Sequence, residues 1–176
     1  MKELYTFAKS KAGKALLIIS GALTAVICLV MNIVLIPQIE STTNGIRCFD
    51  LNFGYSFDTA KEFLSLLGEE GRQLYLGVQL PLDFVYPIAY CVFFSLLIVL
   101  LTKKTSVLLL FPITLAAFDY AENICSIIML RSGELSRTTA LVSSACTSLK
   151  TILMYAVFLI IIICLIAYFI NKKKKD

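Results

Sequence analysis

The chain has 176 residues, 59% of them hydrophobic, with 16 Lys and Arg against 12 Asp and Glu for a formal net charge of +4. A soluble domain is typically about 45–50% apolar. The excess, with a mean hydropathy of +0.85, excludes an ordinary water-soluble fold and points to the bilayer. The absence of histidine removes most zinc and haem sites, the common Ser-His and Cys-His catalytic pairs and the usual physiological-pH switch, so neither a metal nor a cofactor is expected.

Positive charge is gathered at Lys2, Lys9, Lys11 and Lys14, at Lys103 and Lys104, and at Lys172 to Lys175. Each group flanks an apolar span, which favours a membrane protein with positive inner loops over a nucleic-acid binder. Of the six cysteines, only Cys48 lies clearly outside an apolar segment, and no C-x-x-C occurs. They read as small buried hydrophobes. A disulfide from Cys48 to Cys125 or Cys146 is the alternative if that side of the membrane is oxidising.

In chain order, basic residues 1–14 precede a first apolar span at about 15–36. A signal peptide also begins this way, but its apolar core is about 7–15 residues long and ends at small residues. This span is longer and ends in Ile36-Pro37, so it is expected to be a retained helix. Gly21, Ala25, Cys28 and Asn32 make a small or polar stripe along it, as helix packing in lipid favours.

Residues 37–80 turn polar and are expected to form a small outer cap, a short hairpin plus a helix. Asn44-Gly45 is a type I′ turn signal, flanked by arms at 38–42 and 46–51. Ser56 is placed to N-cap a helix over 57–67 that Gly68 ends, with Phe57, Ala60, Phe63, Leu64 and Leu67 on its apolar face. A further helix from about Glu69 enters the membrane and bends at Pro81.

The remaining spans are expected at 82–101, 106–130 and 137–170. Asp83, Tyr86, Pro87 and Tyr90 share a face of the second, and Pro87 should kink it unless a neighbour satisfies the freed carbonyl. The third carries Phe118-Asp119-Tyr120-Ala121-Glu122-Asn123, two acids and an amide in an apolar run. Asp119, Glu122 and Asn123 fall on one helix face. The last span is long enough to project beyond the bilayer and pack on the cap. Together these predict an all-α four-transmembrane-helix bundle in one membrane domain. The positive-inside rule puts the N-terminus, the Lys103-Lys104 turn and the C-terminus in the cytoplasm.

At 1.5 Å per residue from the inner boundary, Asp119 lies ~20 Å up, Glu122 ~24 Å, Asn32 ~26 Å, Asp83 ~27 Å and Lys150 ~30 Å. In a hydrocarbon core about 30 Å thick, polar groups from all four spans therefore meet in the outer third. Intramembrane ionisable groups either pair with one another or mark a functional site. In the first case Lys150 neutralises one of the acids and the amides satisfy the rest. In the second, Asn32, Asp83, Tyr86, Asp119, Glu122, Asn123 and Lys150 line an outer cavity for a lipid, small ligand or partner protein. An intramembrane hydrolase using Asp83 and Asp119 as a proton-sharing dyad is a third possibility. It lacks the Gly-x-Gly-Asp motif of the aspartyl type. A small transporter or channel, which four helices would need an oligomer to build, is a fourth.

Gly54-Tyr55-Ser56, Leu67-Gly68-Glu69-Glu70-Gly71-Arg72, Leu80-Pro81-Leu82-Asp83 with Tyr86-Pro87, and Asp119 to Asn123 together resemble a family of small four-span membrane proteins of bacteria. The resemblance covers roughly residues 49–130 and implies a bacterial inner membrane but no activity. The loop order is also similar to claudin-like proteins, in topology only, because their Trp-containing first-loop motif is missing. Lys173-Lys174-Lys175-Asp176 fits a di-lysine retrieval signal, which would place the chain in the endoplasmic reticulum if eukaryotic. A plain inner-face anchor explains the same lysines.

Overall fold

The structure, a computed structural model, describes residues 2–103 and 106–173. Lys104, Lys174 and Lys175 of the basic clusters lie outside them. A short helix α1 (Lys2–Lys9) is followed by four helices long and apolar enough, by length and composition, to cross a membrane. These are α2 (Lys11–Thr42), α3 (Phe57–Thr102), α4 (Val107–Arg131) and α5 (Arg137–Lys173).

The central element is α3. It packs on α2 at one side and on α4 and α5 at the other, while α2 makes no comparable seam with α4 or α5. The antiparallel α4–α5 hairpin has the most extensive contact in the molecule. Its register is set by Asp119 against Lys150 and Glu122 against Thr147. The same register puts Ser126 opposite Ser143 and Met129 opposite Ala140, all four of them buried. The outward faces of α2 and α5 carry Ile18, Ile19, Ile33, Phe158 and Ile162 in the open, as a lipid solvent would allow.

Both α2 and α3 widen by one residue per turn, at Met31–Leu35 and Tyr75–Gln79. Each π-turn ends two residues before a proline, Pro37 or Pro81. A proline lacks an N–H and its ring crowds the carbonyl four residues back, and a wider turn relieves both within a continuous helix. The two π-turns touch each other.

The expected hairpin between the first two spans does not form, and no strand occurs among the described residues. Instead α2 continues through Pro37 to Thr42, because Ile36 and Ile39 at helical spacing bury into a core. Asn44 and Gly45 do take the positive φ of a type I′ turn, 54° and 84°. Here that geometry stops a helix: the Gly45 N–H returns to the Glu40 carbonyl at 3.0 Å, a 6→1 bond of the Schellman kind.

The rest of the segment follows the sequence more closely. A 3-10 turn at Phe49–Leu51 leads to Ser56, whose hydroxyl accepts the Thr59 N–H at 3.1 Å. Ala60, Phe63, Leu64 and Leu67 are buried, and Gly68 breaks the helix at φ 62° before it resumes. Phe49 stacks at 4.7 Å from Phe63 and 4.9 Å from Tyr55. These side chains join Met129, Leu130 and Ala140 in one core. Arg72 ties the segment down by donating to the Leu130 carbonyl at 2.6 Å and the Leu64 carbonyl at 3.0 Å.

Helix α5, with 37 residues or about 55 Å, extends beyond a ~30 Å core and holds the segment too. Ser144 accepts the Tyr55 N–H at 2.8 Å, and Ser148 donates to the Phe53 carbonyl at 2.6 Å. Gly54, at φ 151°, fits between them, where a Cβ would stand 2.8 Å from the Ser148 hydroxyl.

Candidate functional site

Four polar side chains of α4, Asp119, Glu122, Asn123 and Ser126, recur at helical spacing and face inward. Asp119 is 2% exposed, and Glu122, Asn123 and Ser126 are fully buried. Such groups are costly away from water unless charge and hydrogen bonds answer them. Lys150 answers two. Its ammonium lies 3.2 Å from Asp119 Oδ1 and also contacts Glu122 Oε2. Thr147, one turn earlier on α5, donates to Glu122 Oε1 at 2.5 Å. Tyr90 of α3 donates to Asp119 Oδ2 at 2.9 Å. The expectation that Lys150 neutralises one acid thus understates it, since the cation bridges two.

Asn123 has a different task. Pro87 cannot donate to the carbonyl of Asp83 four residues back, and the Asn123 side-chain amide fills that place at 2.9 Å. Tyr120 adds a bond to the next carbonyl, Phe84, also at 2.9 Å. An interior proline in α3 is therefore matched by an amide on α4, which fixes the helices in depth and rotation.

Asn32 does not join this network. Its amide bonds to the Cys28 carbonyl of its own helix at 2.9 Å. It does line a cavity of about 320 Å³ together with Asp83, Tyr86, Asp119 and Lys150. Of the seven residues nominated from sequence, five thus face one cavity, while Glu122 and Asn123 stand outside its lining. The cavity occupies the gap between α2 and α5, where no helix seam closes the bundle. Along α5 its wall passes from Lys150 and Thr151 to Met154, Tyr155 and Phe158, from charged to apolar over about two turns. Met31 and Ile36 supply apolar wall from α2, and Leu51 from the loop.

Tyr90, Thr147, Thr151 and Tyr155 contribute although none of them is among the seven nominated residues. Tyr90 lies two turns from Asp83 and Thr147 one turn from Lys150, so their spacing was a usable signal. Thr151 shares a polar face of the last helix with Ser144, Thr147 and Ser148, but nothing in the sequence nominates Tyr155, because an outward-facing helix surface becomes a wall only when the neighbouring seam stays open. Asn123 Oδ1 and the hydroxyls of Ser126 and Ser143 are buried without a hydrogen bond among the described residues. The layer holds more polar capacity than its own side chains use.

Chemically, the arrangement suits binding. A carboxylate dyad works by sharing a proton between two acids, whereas Asp119 is engaged by Lys150 and Tyr90. Among the described residues no three His, Cys, Asp or Glu side chains converge to hold a metal. No disulfide joins any of the six cysteines among the described residues. A wider concavity of about 440 Å³ between Lys61, Arg72 and Glu134 lies beyond the apolar spans, and its arginine is occupied by the two carbonyls it anchors. No family model, curated protein or solved structure matches the chain.

Proposed function

We propose that the protein is an integral membrane protein that binds an amphiphile, without chemistry on it, in the cavity between α2 and α5. One observation carries this reading. The cavity lies between two helices whose outward faces are apolar, and its wall grades from the charged Asp83, Asp119 and Lys150 to the apolar Met154 and Phe158. A lipid or other molecule with a polar head and a hydrocarbon part matches that gradient. With Lys9, Lys14, Lys103, Lys172 and Lys173 at the inner face, the cavity lies toward the outer one, beneath a cap built from residues 43–67. The resemblance of residues 49–130 to four-span bacterial membrane proteins supports a bacterial inner membrane as its home.

Thr151 offers the test. Its hydroxyl bonds only its own helix, to the Thr147 carbonyl at 2.9 Å, so Thr151→Phe fills the cavity and spares the Lys150 network. Native mass spectrometry of the detergent-solubilised protein with added phosphatidylethanolamine should show a retained lipid in the wild type. In the variant retention should fall about tenfold at unchanged melting temperature. Equal retention in both would defeat the proposal. Ion or solute flux in liposomes that depends on Glu122 or Lys150 would assign transport instead.

A further inference from the structure

We infer that the lysine-rich end of the bundle holds a second, independent binding site, for the phosphate-bearing headgroup of an anionic membrane lipid. A concavity of about 460 Å³ there is lined by Tyr5, Lys9, Lys14, Lys103 and Tyr168, with Leu100 and Leu101 as its apolar wall. Three separate elements bring the cations together. Lys9 ends α1, Lys14 lies in the first turn of α2, and Lys103 closes α3 in a left-handed conformation at φ 59°.

Two observations distinguish this cluster from scattered inner-face lysines. First, two of its ammonium groups are held on aromatic faces, Lys9 at 5.2 Å from the Tyr5 ring centre and Lys103 at 5.7 Å from that of Tyr168. Cation–π contact fixes a flexible lysine in place. Second, α1 is docked rather than trailing. Ala8 is fully buried against Leu96 and Val99, and the Ser10 hydroxyl accepts the Gly13 N–H at 3.1 Å to start α2 beside it. Lys9 is thereby turned toward Lys14 and Lys103.

No acidic side chain lines the concavity among the described residues, so three exposed ammonium groups face it without a carboxylate to balance them. Their complement is an anion. The apolar setting says which kind. Leu4 and Phe7 of α1 stand exposed, as on an amphipathic helix lying in a membrane interface. Beside the lysines, Leu100 and Leu101 continue into the apolar span of α3. A headgroup phosphate fits the lysines while its acyl chains follow that span, whereas a free anion would use the charges alone.

The test measures preference between lipids by native mass spectrometry of the full chain in detergent. Wild type should retain phosphatidylglycerol over phosphatidylcholine at equal concentration by about tenfold or more, because each lysine near the surface favours an anionic headgroup. The Lys9→Gln/Lys14→Gln/Lys103→Gln variant should lose the preference. A control with equal charge removed outside the concavity, Lys11→Gln/Lys172→Gln/Lys173→Gln, should keep it. Loss of preference in both triples would overturn the site in favour of diffuse surface charge. Competition by inorganic phosphate as strong as by the lipid would overturn the lipid as occupant. The acid-rimmed cavity at the other end gives no preference for an anion, so the two tests are separable.

Discussion

The two ends of the bundle handle charge in opposite ways. At one, Asp119, Glu122 and Lys150 are withdrawn among α3, α4 and α5, with both acids at 2% exposure or less, and each is answered by a partner. At the other, Lys9, Lys14 and Lys103 stand exposed, and two of them, Lys9 and Lys103, rest on tyrosine rings. A buried charge cannot be left unpaired without large cost, so the first group determines which helices meet and at what depth. An exposed charge interacts weakly through water and is screened by salt, so the second has little say in the fold and is free to meet the surroundings. The same residue type, lysine, is architecture in one place and surface chemistry in the other.

The sharpest way to break this contrast is Lys150→Met. It strands Asp119 and Glu122 and should destabilise the protein by about 3–5 kcal/mol, read as a fall in melting temperature in detergent. Adding Glu122→Gln should return part of that loss, because one of the two stranded charges is then gone. Asn123→Ala comes next. It leaves the Asp83 carbonyl without a donor, at about 1–3 kcal/mol. In a Pro87→Ala background, where the helix regains its own N–H, the same change should cost much less. A double-mutant cycle measures that coupling.

Tyr90→Phe removes one hydrogen bond to Asp119 and should cost about 1 kcal/mol, the scale of interhelical hydrogen bonds in membranes. Denaturant titration in mixed micelles resolves it. Smallest of all, the Lys9→Gln/Lys14→Gln/Lys103→Gln variant should change stability by no more than about 0.5 kcal/mol per site. A large loss there would erase the distinction between the two ends. Raising the salt to about 1 M, where the screening length falls to about 3 Å, should weaken anionic-lipid preference and leave the melting temperature nearly unmoved.

Much of the polar layer was legible because helix rise and period are fixed. Depth counts alone brought Asn32, Asp83, Asp119, Glu122 and Lys150 into the outer third, and the spacing of Asp119, Glu122 and Asn123 put them on one face. The helix that begins at Phe57 was legible for the same local reasons, a serine cap, a helical apolar stripe and a glycine break. The Asn44-Gly45 turn was not. Both a hairpin and a helix end ask for positive φ at those positions, and only the burial of Ile36 and Ile39 decided between them.

The sequence by itself determined four apolar helices, their polar stripes and the placement of lysines at one end, because hydrophobicity and helical period act locally along the chain. Tertiary structure decided the rest. That Lys150 bridges two acids, that Asn123 serves the carbonyl Pro87 leaves bare, and that α2 and α5 stay apart to leave a cavity all depend on how helices rotate against each other. A side chain's partner across an interface is fixed by that rotation, which the helical period of any one segment does not contain.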